Sequence, residues 1–293
     1  MLDRYGAPHH RYNQFRSMTT ESLETRIERH FAAGTGAVGD RAAMDAFLEL
    51  RAGLEVGTLR SAEPDASESI GWRVNAWVKR GILLGFRLGG LQEMSGLAPA
   101  GKTALSFVDK GTYPARQFTA EQGIRIVPGG SSVRSGAHLA RGVVMMPPAY
   151  VNVGAYVDEG TMVDSHALVG SCAQIGGVLE PVNASPVIIE DDALVGGNTG
   201  VYEGTIVRRG AVLAAGTILT RGTPVYDVAN GTILKATADA PLIIPERAVV
   251  VPGSRAVTGG YGKEMSLSVY TPVIVKYRDE KTDLSTTLED LLR

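Results

Sequence analysis

The sequence has little of what several protein classes require. Its single cysteine, Cys172, excludes an internal disulfide framework and favours a reducing cytoplasm. The net charge is −2 and no run of lysine and arginine stands out, which argues against nucleic-acid binding. No unbroken stretch of ~18 apolar residues occurs, so we expect no membrane span. The first residues, MLDRYGAPHHRYNQFRS, are polar; we expect no signal peptide there, and an extension without structure over residues 1–17.

What is present is a strict period of six. One series of apolar residues recurs at this spacing from 133 to 175 and another from 189 to 225. The members are Val133, Leu139, Met145, Val151, Val157, Val163, Val169 and Ile175, then Ile189, Val195, Val201, Val207, Leu213, Leu219 and Val225. Two positions before the next member the residue is usually small or β-branched, often after a glycine. This period fits neither a helix nor a simple strand and indicates a hexapeptide β-solenoid.

The physics of such a solenoid explains the pattern. Each hexad forms a short strand and a corner, and three hexads close a triangular coil. The apolar residue points inward and stacks on its equivalent in the next coil, about 4.8 Å away. Each is worth roughly 1.5–3 kcal/mol when buried, so this ladder is the main stabilising contribution.

The regions on either side of the solenoid predict a three-part chain. Helices are expected over residues 19–32, from Asp40 to Gly53 and over residues 70–86, with a strand from Glu55 to Arg60. We therefore predict a mainly helical N-terminal domain (1–106), the solenoid (107–258) and a C-terminal extension (259–293). The extension contains the alternating LSVYTPVIVKY, which predicts a hairpin or added sheet, and TTLEDLLR, which predicts a short helix. The fold class is mainly β, a parallel β-helix with a small helical domain and a β/α extension.

The hexads lose phase once. Ile175 and Ile189 are fourteen residues apart, which is two hexads and two residues. The intervening GGVLEPVNASPV contains two prolines and is expected to bulge outward. A bulge on a rigid prism is a place where a ligand site is built.

Solenoids of this kind are usually trimeric acyltransferases, an analogy that indicates the class of reaction rather than the substrate. O-acyl transfer commonly needs a histidine base, and only His138 and His166 lie in the solenoid. N-acyl transfer can use carboxylates that position the amine. A zinc site of three histidines would need one more on an adjacent coil, so we expect no metal.

Longer stretches of the chain are more specific. The segments MPPAYVNVGAYVDEGTMVDSHALVGSCAQIG and GGVLEPVNASPVIIED closely resemble the tetrahydrodipicolinate N-succinyltransferase family, and the resemblance extends from about residue 19 to the end. It implies a left-handed β-helix and a cytoplasmic homotrimer with active sites between subunits. It also implies transfer of a succinyl group from succinyl-CoA, a co-substrate rather than a bound cofactor, to the amine of ring-opened tetrahydrodipicolinate in lysine and diaminopimelate synthesis.

The resemblance also assigns roles to individual residues. It places the family's substrate-binding arginine at Arg125, where a guanidinium would hold a carboxylate by two hydrogen bonds. It places the key aspartate at Asp164, which would hold or deprotonate the amine. Ser171 and Glu180 match residues that line the substrate pocket, and Glu203 is a candidate for the carrier groove or for a compensating acid. Backbone amides at the glycine corners would stabilise the oxyanion.

Two departures from the family pattern keep alternatives open. The position of a second essential glutamate is occupied by Gly200, and about two hexads are missing where SCAQIG and GGVLEP abut. The alternatives are an acetyl-CoA-dependent acyltransferase of the same fold and a catalytically impaired homologue. Taken alone, Asp164 would be read as a solvated corner residue and Cys172 as a packed, unreactive thiol.

Overall fold

The computed structural model describes residues 21–94, 107–170, 175–176 and 186–278. Its N-terminal elements are α1 (Leu23–Ala32), α2 (Arg41–Val56), β1 (Ala62–Pro64), β2 (Trp72–Val74), α3 (Ala76–Leu88), β3 (Leu91–Glu93) and β4 (Val108–Lys110). The predicted extension 1–17 and the predicted C-terminal helix lie outside the described residues. No helix in the described part is long and apolar enough to cross a membrane.

Three helices pack around one apolar core in the N-terminal region. Ile27, Phe47, Leu50 and Leu84 are at most 1% exposed, and Tyr113 from the following segment joins them with its hydroxyl donating to Ile82 O at 2.7 Å. Polar side chains cap two of the helix starts. Ser22 Oγ accepts from Thr25 N in α1, and Asp40 Oδ1 accepts from Ala42 N in α2.

The predicted helices exist, but several of their predicted ends are wrong. α2 continues to Val56 and ends at Gly57, whose φ of 81° is the left-handed C-cap conformation. Gly53 lies inside the helix, where a Cβ would come 2.6 Å from Leu59 Cδ1, so this glycine serves close packing. The predicted strand from Glu55 is therefore helix at its start. The segment before Ala76 is β2, paired with β1, and not the first turn of α3.

The solenoid is built from short strands at the predicted six-residue spacing. They are β5 (Arg125–Ile126), β6 (Ser132–Val133), β7 (His138–Leu139), β8 (Val144–Met145), β9 (Tyr150–Val151), β10 (Tyr156–Val157), β11 (Met162–Val163), β12 (Leu168–Val169), β13 (Ile175–Gly176), β14 (Ile188–Ile189), β15 (Leu194–Val195), β16 (Gly200–Tyr202), β17 (Ile206–Val207), β18 (Val212–Leu213) and β19 (Ile218–Leu219). Parallel partners are eighteen residues apart in most pairs, as for Ser132, Tyr150 and Leu168. Three hexads per coil are thereby confirmed.

The C-terminal elements continue and then cover the solenoid. They are β20 (Val225–Asp227), β21 (Thr232–Leu234), β22 (Ile243–Ile244), β23 (Ala248–Ala256), α4 (Gly260–Glu264) and β24 (Ser268–Tyr277). β22 and β23 extend two faces of the prism. The segment predicted to form a hairpin or added sheet is a single strand, β24, and its hairpin partner is β23, which was predicted as part of the solenoid. The boundaries at residues 106 and 258 stay predictions.

The three faces of the prism differ in continuity. Face I is one sheet in the order β19-β16-β13-β12-β9-β6. Face II has β10-β7 and, as a separate sheet, β14-β17-β22. Face III has β11-β8-β5 and, separately, β15-β18-β23. Among the described strands, the solenoid is thus continuous on one face and interrupted on two.

The interruption has a direct cause in the register. Val169 of β12 pairs with Ile175 of β13, six residues later instead of eighteen, so at this level the described strands form only one of the three sides. The buried core is divided accordingly into two clusters, one around Met145 and Val151 and one around Leu213 and Leu219. We call the solenoid before this level its first half (β5–β12) and the part after it its second half (β13–β19).

Candidate active site

Two predicted site residues lie on the same interrupted face. Arg125 and Met162 both pair with Val144, one on each side, in the sheet β11-β8-β5 of face III. Asp164 follows β11 directly. At 4.8 Å per strand and 3.3 Å per residue, the Cα atoms of Arg125 and Asp164 are roughly 12 Å apart. Both side chains are exposed. An arginine and a carboxylate thus lie on the same face with one strand between them, an arrangement that suits a substrate with a carboxylate and an amine.

The corner after β11 holds Asp164 in one orientation. Its Oδ1 accepts from Ser165 N at 2.7 Å, and its carbonyl oxygen accepts from Ala167 N at 3.1 Å. Asp158 makes the same contact with Glu159 N at 2.8 Å on the preceding corner. Local hydrogen bonding therefore does not distinguish Asp164 from an ordinary corner aspartate. What distinguishes Asp164 is that it lies on the same face as Arg125.

Arg125 is available to bind an anion. Its backbone N–H donates to Val143 O at 2.9 Å, while its guanidinium makes no ion pair with any described carboxylate. Ile126 points to the interior and packs against the first-half core. The strand alternation therefore directs the Arg125 side chain outward.

Of the remaining predicted site residues, only Glu203 lies in the described part, and within one chain it does not reach this place. Ser171, Glu180 and Cys172 lie outside the described residues. Glu203 follows β16 at the corner between faces I and II, with φ of 53°, and its Oε2 accepts from Arg221 N at 2.8 Å. It stabilises the next corner and lies across face I from the corner that holds Asp164. Its role as carrier-groove residue or compensating acid stays a prediction.

Neither solenoid histidine is arranged as a base or metal ligand. The His138 ring stacks on Tyr156 with centroids 4.5 Å apart, and its Nδ1 donates to Glu55 O at 3.0 Å. His166 is an exposed corner residue with φ of 64°, whose backbone N–H donates to Pro148 O. The described residues contain no group of His, Cys, Asp and Glu side chains that could hold a metal ion.

Four of the glycine corners use their backbone N–H groups in hydrogen bonds within the chain. The N–H groups of Gly142, Gly154, Gly210 and Gly216 donate to carbonyl oxygens of neighbouring coils at 2.8–3.0 Å. These amides are used to stack one corner on the next. These four N–H groups are therefore not free to bind an oxyanion. The oxyanion role of the other corner amides stays a prediction.

The sequence did not indicate how the helical region is attached to face II. Arg60 stacks on Tyr156, 3.6 Å from the ring centroid, and donates to the Tyr156 hydroxyl at 2.5 Å. Burial raises the pKa of Tyr156, and the Arg60 charge opposes this. Glu190, just after β14, accepts from Trp72 Nε1 at 2.9 Å and from Arg208 at 2.5 Å. No sequence signal links residues 118 positions apart.

A cleft of about 610 Å³ opens in the helical region between the start of α3 and the strands β1 and β2. Arg60, Arg73 and Arg80 line it, together with Glu63. Each guanidinium has a protein partner: Arg73 pairs with Glu63, Arg80 binds Glu28 with two nitrogens, and Arg60 binds Tyr156. Each guanidinium group of this cleft thus has a hydrogen-bond partner within the chain.

Comparison with known proteins agrees with this architecture. A family model for the tetrahydrodipicolinate N-succinyltransferase N-terminal region matches residues 22–88, and one for the hexapeptide repeat of succinyl-transferase matches residues 186–221. A relative from Azoarcus sp. (strain BH72), a 2,3,4,5-tetrahydropyridine-2,6-dicarboxylate N-succinyltransferase, is 43% identical over 93% of this chain and 96% of its own.

Two further relatives with the same name show similar agreement. One from Aromatoleum aromaticum is 42% identical over 93% of this chain and 96% of its own. One from Afipia carboxidovorans is 39% identical over 94% of this chain and its whole own length. Identity at this level over nearly the full length of both chains, together with the solenoid and its helical N-terminal region, shows that the chain belongs to the tetrahydrodipicolinate N-succinyltransferase family.

Proposed function

We propose that this enzyme transfers the succinyl group of succinyl-CoA to the amine of ring-opened tetrahydrodipicolinate. The observation that carries the proposal is the placement of Arg125 and Asp164 on one face of the solenoid, in a chain that belongs to this family over nearly its whole length. Succinyl-CoA is a co-substrate that leaves as free CoA. The reaction serves lysine and diaminopimelate synthesis.

Arg125 binds a carboxylate of the amino substrate. Its guanidinium has no competing carboxylate among the described residues. A bidentate pair with a carboxylate fixes orientation as well as distance. The rest of the substrate then extends along face III toward Asp164.

Asp164 acts on the amine. Its carboxylate accepts a hydrogen bond from the amine and takes its proton as the nitrogen attacks the thioester carbonyl carbon. A carbon–nitrogen bond forms, the carbon–sulfur bond breaks, and the CoA thiolate leaves and is protonated. The Ser165 N–H bond to Asp164 Oδ1 holds the carboxylate while this happens.

The active form in this proposal is a cytoplasmic homotrimer whose sites lie between subunits. Exposed apolar side chains on the C-terminal hairpin support assembly: Val269 and Tyr270 are each 40% exposed and Val275 is 42% exposed. A neighbouring subunit placed beside face III would enclose a site that is open in the single chain. Light scattering after size exclusion measures the assembly directly.

The test of function is thiol release from succinyl-CoA with tetrahydrodipicolinate, run beside acetyl-CoA. Rapid release with succinyl-CoA alone is the expected result. Preference for acetyl-CoA would keep the N-acyl transfer and contradict the acyl group. A folded oligomer that releases thiol with neither thioester would contradict the proposed function.

A further inference from the structure

The solenoid is joined across the interruption by face I, where β12, β13 and β16 are hydrogen-bonded in sequence. On faces II and III the described strands on either side are not paired with each other. The apolar residues that flank this level show the effect. Val169, Ile189 and Val195 are only partly buried, whereas Val151 and Leu213 in the two cores are fully buried. Two rigid bodies joined along one face can bend about that face.

The helical region is anchored to the first half on face II. Gly136 N donates to Glu55 Oε1 at 2.9 Å, His138 binds Glu55 O, and Arg60 lies on Tyr156. Apolar packing adds to these polar contacts. Val153 is 3% exposed within the helical core, and a Cβ on Gly154 would come 2.6 Å from Ile82 Cδ1.

The same region is anchored to the second half, also on face II. Trp72 Nε1 donates to Glu190 Oε1, and Arg208, which follows β17, donates both to Glu190 and to Ile70 O at 2.7 Å. Glu190 Oε2 accepts from Arg209 N at 3.0 Å. The Glu190 and Arg208 side chains are only 16% and 22% exposed, so water competes weakly for this pair.

We infer that the helical region bridges the interruption, and that Trp72, Glu190 and Arg208 are positioning residues that fix the two halves relative to each other. The bridge lies on face II and the paired sheet on face I. Together, the bridge and the paired sheet fix the distance between β11 and β15, the two strands that flank the interruption on face III. Asp164 lies at the end of β11, so this distance also fixes its position relative to the second half. With two faces held, the bending allowed by one continuous face is suppressed.

The catalytic consequence rests on the proposed function and on the prediction that Glu203 lines the carrier groove, so that the first half binds the amino substrate and the second half binds the thioester. Arg125 and Asp164 belong to the first half, and the candidate carrier-groove residue Glu203 belongs to the second. Loosening the bridge would leave the amino substrate bound and misplace the thioester relative to it. Turnover would then fall while the Michaelis constant for the amino substrate is kept.

The experiment compares two variants with two matched controls in the full chain. Trp72→Phe keeps an aromatic ring and removes the N–H donor. Trp77→Phe, on α3, is its control and makes the same reduction in ring size. Glu190→Gln removes the charge that binds Arg208. Asp191→Asn is its control on the next residue, where the carboxylate is exposed and pairs with Arg209. Amide hydrogen exchange is measured residue by residue, and steady-state kinetics are measured with both substrates.

The amides to follow are those of the first level after the interruption. These are the amides of Ile188, Glu190, Leu194 and Gly196. Each donates to a carbonyl of the following coil, and on the side toward the first half no described strand pairs with β14 or β15. We expect their exchange to accelerate about tenfold or more in Trp72→Phe and Glu190→Gln and to stay at wild-type rates in the controls. The Val144 amide, inside the first half, is expected to stay unchanged in all four variants.

In the same two variants kcat is expected to fall about tenfold, with the Michaelis constant for the amino substrate within twofold of wild type. Wild-type exchange at Ile188 and Leu194 in both variants would overturn the bridge. Accelerated exchange with unchanged kcat would overturn the positioning role. Accelerated exchange in a protein whose wild type is inactive with either thioester would support the bridge and contradict the proposed function instead.

Discussion

The ring of Tyr202 covers Gly200 on β16. A Cβ added to Gly200 would come 2.5 Å from Tyr202 Cε2 and 3.0 Å from Ile218 Cδ1. The phenol thus occupies the space that a larger side chain at position 200 would need. The family's glutamate, which the resemblance places here, cannot be introduced without moving this ring.

Gly200→Glu is therefore expected to destabilise the protein rather than restore a lost acid. Overpacking of this kind costs about 1–3 kcal/mol of unfolding free energy, which calorimetry detects as a lower Tm. Gly197→Ala is the control, because a Cβ there meets no atom within 4 Å. The double variant Gly200→Glu with Tyr202→Ala is expected to recover part of the loss. A single variant with wild-type Tm and raised kcat would contradict the assignment.

Asp164→Asn is expected to lower kcat by about 10²–10⁴, because the amide cannot take the proton of the amine. Asp158→Asn is a close control, since its side chain makes the same corner hydrogen bond on the preceding side of the coil. Both variants should keep the fold and the oligomer, which circular dichroism and light scattering measure. Equal kinetics in the two variants would show that Asp164 is only a corner residue.

Arg125→Ala is expected to raise the Michaelis constant for the amino substrate about tenfold or more, with a smaller effect on kcat. The loss of a charged, bidentate contact weakens binding by a few kcal/mol. Arg141→Ala removes another exposed arginine of the first half and serves as the control. A Michaelis constant like that of wild type in Arg125→Ala would exclude Arg125 from the binding site.

Asp227 predicts a pH dependence of stability. Its carboxylate is buried and accepts from Ala229 N, from the backbone and side chain of Asn230, and from the Tyr277 hydroxyl at 2.7 Å. Burial alone would raise the pKa of Asp227, but these hydrogen bonds outweigh burial and hold it below its usual value. A lowered pKa in the folded state stabilises the protein above the unfolded pKa, near 3.9, and this stabilisation is lost as pH falls through the folded pKa.

Asp227→Asn is accordingly expected to lower the free energy of unfolding by about 2 kcal/mol at pH 7. The difference from wild type should shrink as the pH falls from about 4 through the lowered pKa of the folded state, below which the wild-type carboxylate is protonated as well. Urea unfolding at a series of pH values measures this. Asp239→Asn, at an exposed position, is the control. A difference that stays constant down to pH 2 would contradict the role of the charge.

Much of the fold could be predicted because the solenoid repeats a local rule. An apolar residue at every sixth position can be recognised without any knowledge of distant contacts. The members of this series from Val133 to Val163 are buried, as predicted. Helix ends were predicted less well. Glycine is typical of helix ends, so Gly53 was predicted to end α2. In the structure Gly53 lies inside the helix and the Leu59 side chain packs against it, a contact that local helix propensity does not encode.

The candidate site shows the same division. Arg125 and Asp164 were identified from segments of the sequence, and their common face follows from their positions relative to Val144. The contact between Trp72 and Glu190 has no local sequence signal, because a tryptophan before a helix and a glutamate after a strand are both common at protein surfaces. Their meeting depends on how the helical region docks on face II.

The repeat alone determined that the chain forms a solenoid, because coiling at a six-residue period brings one apolar residue per hexad into a common core. Tertiary structure decided where that solenoid is continuous. Because residues 169 and 175 pair, the described strands of faces II and III are interrupted at this level. The contacts that span the interruption come from a region more than a hundred residues away in sequence. Such contacts depend on how two folded surfaces fit together, and the spacing of residues within either segment does not predict that fit.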